Sequence, residues 1–142
     1  MIDNNYIRLN RIIALLIFIV TFIVYFDTMA PTVSYWDCGE FIAVSHTLGV
    51  PHPPGSPFFL LMGRIFSMLP FNEDIAFRVN VISPLVSALA VMLLYLSTVK
   101  VITHWRGRVN NITDVMIVFG GGAVGALTFA FTDSHWFNAV EA

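Results

Sequence analysis

The chain has 142 residues, 57% of them hydrophobic and 11% charged, with a net charge of −2 and a mean hydropathy of +0.78. A soluble globular domain carries about 25% charged residues, so this composition argues against a water-soluble surface. The seven Lys and Arg gather at helix ends and leave no basic stripe for nucleic acid, while a single cysteine, Cys38, excludes an intramolecular disulfide and a cysteine-rich zinc site.

The first apolar run covers residues 12–30 and follows Arg8 and Arg11. Its length is close to the roughly 20 residues that cross a hydrocarbon core. Thr28-Met29-Ala30 makes a poor cleavage site and the run is longer than a signal-peptide core, so it reads as an uncleaved anchor. Residues 31–78 hold every proline except Pro84. Backbone without helical hydrogen bonds cannot face lipid, so this stretch reads as an extramembrane loop. Within it, Pro57 to Leu69 is apolar but too short to span, and is expected to lie in the interface or to pack as a re-entrant piece.

The second span is predicted over residues 79–102, with Asn80, Ser83, Pro84 and Ser87 in its first half. The third is predicted over residues 115–131, opened by Asp114 as an N-cap. Arg8, Arg11, Lys100, Arg106 and Arg108 fall on one side of the membrane, and only Arg64 and Arg78 on the other. The excess of positive residues puts the N-terminus in the cytoplasm and the 31–78 loop outside. The expected architecture is an all-α integral membrane protein, one domain over residues 1–142, with about three transmembrane helices and an outer loop carrying a short interfacial helix.

Several loop residues could carry chemistry. Asp37 and Glu40 are three residues apart and share a face if their segment is helical. Either they start a helix and are simply solvated, or one serves as a general base toward a substrate hydroxyl. His52 stands in Pro51-His52-Pro53-Pro54-Gly55, where prolines stiffen the turn that displays it. His46 and His52 are possible metal ligands, but no other residue has ligand spacing, and no metal site is assigned. Arg64 and Arg78 are the outward cations; each reads either as a phosphate partner or as a charge snorkelling to headgroups. Gly121 and Gly125 form a small-residue face for close helix packing. Asn111-Ile112-Thr113 matches a glycosylation acceptor but falls on the cytoplasmic side. Asp27, near the outer end of the first span, reads equally as an interfacial cap or as a support for the loop.

Residues 30–41, Ala30-Pro31-Thr32-Val33-Ser34-Tyr35-Trp36-Asp37-Cys38-Gly39-Glu40-Phe41, together with His52-Pro53-Pro54-Gly55, resemble a known family. It is that of the domain-of-unknown-function 2723 proteins, grouped with protein O-mannosyltransferase-like glycosyltransferases and common in Bacteroidota. Arg78-Val79-Asn80 and the closing Trp136-Phe137-Asn138-Ala139-Val140-Glu141-Ala142 are similar to it too. The resemblance implies a GT-C architecture in the bacterial inner membrane, with the active site on the outer face. It implies transfer of a mannose-like sugar from a polyprenyl-phosphate donor to Ser or Thr hydroxyls of secreted or envelope proteins, with inversion. In that scheme Asp37 matches the acidic catalytic position and Glu40 matches less closely. His52, Arg64, Arg78 and Glu141 would bind substrate, the arginines at the lipid phosphate. No cofactor beyond the lipid-linked donor is implied, and the need for a divalent metal stays open.

Members of that family run to several hundred residues with many more helices. The chain is therefore expected to be the N-terminal part of a larger bundle, inactive alone. The rival reading is a small non-catalytic membrane subunit or assembly factor of an envelope complex, held to its partner through Gly121 and Gly125. A transporter fragment is weaker, since the spans lack buried charges.

Overall fold

A computed structural model describes residues 4–53, 55–107, 109 and 111–141; Pro54, Arg108 and Ala142 lie outside the described residues. The elements are α1 (Asn4–Thr28), α2 (Cys38–Thr47), α3 (Pro57–Met68), α4 (Ile75–Asn80), α5 (Ile82–Arg106), α6 (Ile112–Ala130) and α7 (Asp133–Ala139). There is no strand among the described residues. Among the described residues, three stretches are long and apolar enough to cross a membrane: α1, residues Ile75–Arg106 and α6. The protein is an all-helical integral membrane protein.

The helices extend past the predicted spans. Helix α1 begins two turns earlier than its apolar run, so exposed Arg8 and Arg11 belong to it. The larger departure is in residues 31–78. A loop with one short helix was expected, and the chain instead forms α2, α3 and α4 there. The prolines do not oppose this, because they bracket helices. Pro31, Pro51 and Pro53 lie in connections, Pro57 is the first residue of α3, and Pro70 follows its end. Proline at a first helical position loses no bond, since that N–H has no intrahelical partner.

Pro84 has a similar part. It sits in the first turn of α5, and its missing N–H is the one that would have bonded the carbonyl of Asn80. The helix therefore breaks after Asn80 and restarts at Ile82. Helix α6 is capped by Asn111, whose side chain accepts from the Asp114 N–H at 2.8 Å. Asp114, predicted as the cap, lies a turn inside and pairs with Arg106 at 2.9 Å.

The described residues fall into two compact units, one within Met1–Val24 and Ser87–Trp136, the other within Tyr25–Val86 and Phe137–Ala142. In the first, α6 crosses α5 closely at Gly122. A Cβ there would lie 2.8 Å from Val99 Cγ2 and 3.3 Å from the Tyr95 ring. A Cβ on Gly121 would meet only Ile102 at an ordinary 3.8 Å, and one on Gly125 would meet open space. Close packing inside the chain thus uses Gly122 with buried Ala126 and Ala130, one register away from the face predicted for a partner.

The second unit holds the loop helices. Buried Cys38, Ile42, Ala76, Val79 and Ile82 form its core, with Phe59, Met62 and Phe66 packed against them. Helix α3 crosses α2 where Gly63 meets buried Ser45; a Cβ on Gly63 would sit 2.7 Å from Ser45 Cβ. The opposite face of α3 shows Phe58, Leu61, Ile65 and Met68. Helix α3 therefore packs one apolar face on the core and keeps a second suited to a membrane surface. Asn80, 1% exposed, donates to the carbonyls of Ala30 and Thr32, both at 2.9 Å. The Ala30 N–H in turn donates to the Val140 carbonyl at 3.0 Å.

Gly63→Ala is expected to destabilise the protein by about 1–3 kcal/mol, the usual cost of overpacking. Gly125→Ala is expected to leave stability unchanged or raise it by up to about 1 kcal/mol, since its Cβ meets nothing within 4 Å and alanine is the better helix former. Thermal unfolding in detergent checks the pair, and equal behaviour of the two variants would contradict the packing described.

Candidate functional site

The site forms where α2 begins. Asp37 occupies the N-cap position of α2 in helical backbone geometry, φ −83° and ψ 0°, and its side chain makes no capping bond. Its carboxylate is therefore not spent on the helix end. Glu40 lies in the first turn of α2. Helix α2 ends at Leu48 in the left-handed conformation, φ 55°, and the chain then runs through buried Pro51 to His52. A tight turn closed by the Gly55 N–H to the His52 carbonyl, 3.0 Å, carries the chain on toward α3. Gly55 has φ +74°, which a residue with a Cβ adopts only under strain.

That path returns His52 to Glu40 across 12 residues of sequence. One carboxylate oxygen of Glu40 accepts the His52 backbone N–H at 2.8 Å, and the other lies 2.7 Å from Nδ1. The imidazole stands edge-on to Phe41, 6.0 Å between ring centres, and Phe41 stands edge-on to Phe59 of α3. With Nδ1 donating to Glu40, Nε2 faces outward, 3.8 Å from Asp37 Oδ2. The side chains of Asp37, Glu40 and His52 are 47%, 39% and 46% exposed, so solvent and ligand can reach all three.

The electrostatics follow from these bonds. The side-chain and backbone hydrogen bonds from His52 hold the Glu40 carboxyl below its ordinary value. The hydrogen bond and negative charge of Glu40, with a further contribution from Asp37, raise the His52 imidazole. Each partner thus favours the charged form of the other. One donor atom from each of Asp37, Glu40 and His52 lies within 4.8 Å of the other two, which is close enough to share a cation. His46 is not part of that group.

The arginines are used otherwise than the sequence suggests. Arg64 donates through Nη1 to the carbonyl of His46, in the last turn of α2. Arg78 donates through Nη1 to the carbonyls of Ser67 at 2.7 Å and Leu69 at 3.1 Å, at the end of α3. Both place a cation against the negative end of a helix. Glu141 is half-buried and follows Val140, whose carbonyl is bonded to Ala30, so its backbone adjoins the segment leading to Asp37. The structure thus brings Asp37, Glu40 and His52 together, and turns one nitrogen of each arginine to a helix end. Sequence reading did not give Asn80 its part. The only signal was an amide placed among apolar residues, which demands a partner.

The model of the family described as Protein O-mannosyl-transferase TMEM260 N-terminal domain matches residues 37–142. The protein O-mannosyl-transferase tmem260 of Dictyostelium discoideum is 40% identical over 98 residues, covering 67% of this chain and 12% of that protein. The protein O-mannosyl-transferase TMEM260 of Mus musculus is 33% identical over 106 residues, covering 74% of this chain and 13% of that protein. The chain thus spans about an eighth of the length of these relatives. No solved structure matches.

His52 is expected to titrate above its ordinary 6.5, and Glu40→Gln to bring it back toward that value. The sign follows from the two shifts. The raised imidazole stabilises the fold fully below 6.5 and loses that contribution as pH rises through its own higher value. The lowered carboxyl stabilises above 4.5 and loses its contribution as pH falls through its own lower value. The pair therefore helps most between those two ordinary values. NMR titration of the imidazole checks this; an unshifted His52, or no response to Glu40→Gln, would contradict it.

Proposed function

The chain belongs to the Protein O-mannosyl-transferase TMEM260 N-terminal domain family, and from that premise we propose that it supplies the catalytic carboxylate of a membrane mannosyltransferase. The proposed donor is a polyprenyl-phosphate mannose and the acceptor a Ser or Thr hydroxyl of an exported protein. The names of the two relatives support the reaction class. The observation that carries the reading is Asp37 itself. It has no capping bond, is half exposed, and lies beside a histidine that Glu40 grips at both its backbone N–H and its ring.

In the proposed step, Asp37 takes the proton of the acceptor hydroxyl as that oxygen attacks the anomeric carbon. The bond from that carbon to the phosphate oxygen breaks on the opposite side, and the phosphate leaves with the electron pair. Configuration therefore inverts. Glu40 is assigned the holding of His52 rather than a proton of its own, because both its oxygens are occupied. Nε2 of His52 faces the Asp37 carboxylate at 3.8 Å and is assigned to supporting that carboxylate on the acceptor side. Arg64 and Arg78 are assigned to fixing α2 and α3, which leaves only their remaining nitrogens for the phosphate. Glu141 stays a proposed substrate contact.

The excess of Lys and Arg on one side supports a cytoplasmic N-terminus with the site on the outer face. The membrane is proposed to be a bacterial inner membrane, as the family resemblance of the sequence implies. The competing reading, a non-catalytic subunit, has the outward Gly121 and Gly125 of α6 in its favour.

Asp37→Asn in the whole gene product is expected to lower mannosyl transfer by about 10²–10⁴-fold with expression unchanged. Transfer is also expected to decline as pH rises through the His52 value, and to decline at lower pH in Glu40→Gln. Transfer assays on membranes from the producing cells check both. Normal transfer by Asp37→Asn, with a stable complex that ignores the mutation, would favour the subunit reading instead.

A further inference from the structure

Three tryptophans occupy three different settings. Trp136 packs on Phe131, ring centres 5.6 Å apart. Trp105 is 93% exposed in the last turn of α5, a span end, where an indole commonly meets the headgroup layer. Trp36 is 92% exposed as well, but it lies in no helix and its backbone is left-handed, φ +64°. For a bulky residue this conformation is an outlier. Strain of this kind persists only where the surroundings impose it.

The surroundings here do impose it. Upstream, Asn80 holds the carbonyls of Ala30 and Thr32. Val33 lies over the first turn of α2, its Cγ1 within 3.2 Å of where a Cβ on Gly39 would be. Downstream, the Asp37 carbonyl accepts the Phe41 N–H at 3.0 Å and commits the chain to α2. The reversal between these anchors falls on residue 36, where glycine would be relaxed. The chain carries tryptophan there, next to Tyr35, which is 85% exposed. An anchoring indole needs no such backbone, as Trp105 shows.

We propose that Trp36 is a sugar-binding residue: its indole, presented beside Asp37, stacks on the hexose ring of the lipid-linked donor. The proposal rests on the mannosyltransferase reading and adds the surface that recognises the sugar. An indole face suits the C–H face of a pyranose, and adjacent Cα atoms about 3.8 Å apart keep that ring within reach of the Asp37 carboxylate. The left-handed backbone sets where the side chain leaves the chain, beside Asp37.

The test uses the whole gene product in detergent, with two radiolabelled probes: a short-chain prenyl-phosphate mannose and the same prenyl phosphate without sugar. Trp36→Ala is expected to weaken binding of the mannosylated probe about tenfold and leave the bare prenyl phosphate unchanged. Trp36→Tyr is expected to retain most of the affinity. Trp36→Gly, which fits φ +64°, is expected to show the same sugar-specific loss at an unchanged or higher thermal midpoint. Equal weakening of both probes would make Trp36 a lipid contact and overturn the proposal, and so would no weakening of either. Trp105→Ala, the control, is expected to bind both probes as the parent does. If the parent binds neither probe, the mannosyltransferase reading falls and takes this one with it. If the parent and the Trp36 variants bind the mannosylated probe alike, only this proposal falls.

Discussion

Every helix end leaves carbonyls without partners, and near a membrane there is little water to take them. In the second unit of this protein, side chains meet that shortage at two helix ends and in the connection after α1. Asn80 supplies both amide protons to the carbonyls of Ala30 and Thr32. Arg64 serves the end of α2 and Arg78 the end of α3. Several polar side chains of this unit are thus committed to the backbone. Asp37 is not one of them, since its carboxylate has no capping duty.

Glu40 and Asp37 illustrate how two carboxylates of like type diverge. Glu40 accepts both an N–H of the backbone and one of the ring from a single residue, and is held in one place. Asp37 stands at 3.8 Å from the same imidazole, too far for a hydrogen bond. In the proposed step the base needs a carboxylate oxygen free of hydrogen bonds, which suits Asp37 better than Glu40. The edge-on contacts from Phe41 and Phe59 add orientation without adding a competing acceptor.

Much of the architecture could be read from the chain, because membrane crossing depends on the length of an apolar run and little else. The loop helices were hidden for a specific reason. Proline signals irregular backbone, yet Pro57 opens α3 without losing a bond, and Pro84 costs only the one that would have joined α5 to α4. The glycines were ambiguous in register: 120, 121, 122 and 125 offer more than one face, and the choice of Gly122 is made by Tyr95 and Val99, far away in sequence. Asp37 and His52 could be picked out through family resemblance, whereas the grip of Glu40 on His52 spans 12 residues and follows no periodicity. Asp114 failed as a cap because Asn111, three residues earlier, was better placed to accept its N–H.

The Asn80 contacts also bear on which positions can drift. What Asn80 reads at residues 30 and 32 is main-chain carbonyl oxygen, identical for every amino acid. The same holds for Arg64 at residue 46 and for Arg78 at residues 67 and 69. Each of these contacts is therefore tolerant at one end and exacting at the other. Side chains at 30, 32 and 46 can be exchanged without touching the bond, while no other residue offers the paired short-range donors of Asn80. The mutational burden of holding this fold falls on a handful of reading residues, and the segments they read are left open to variation.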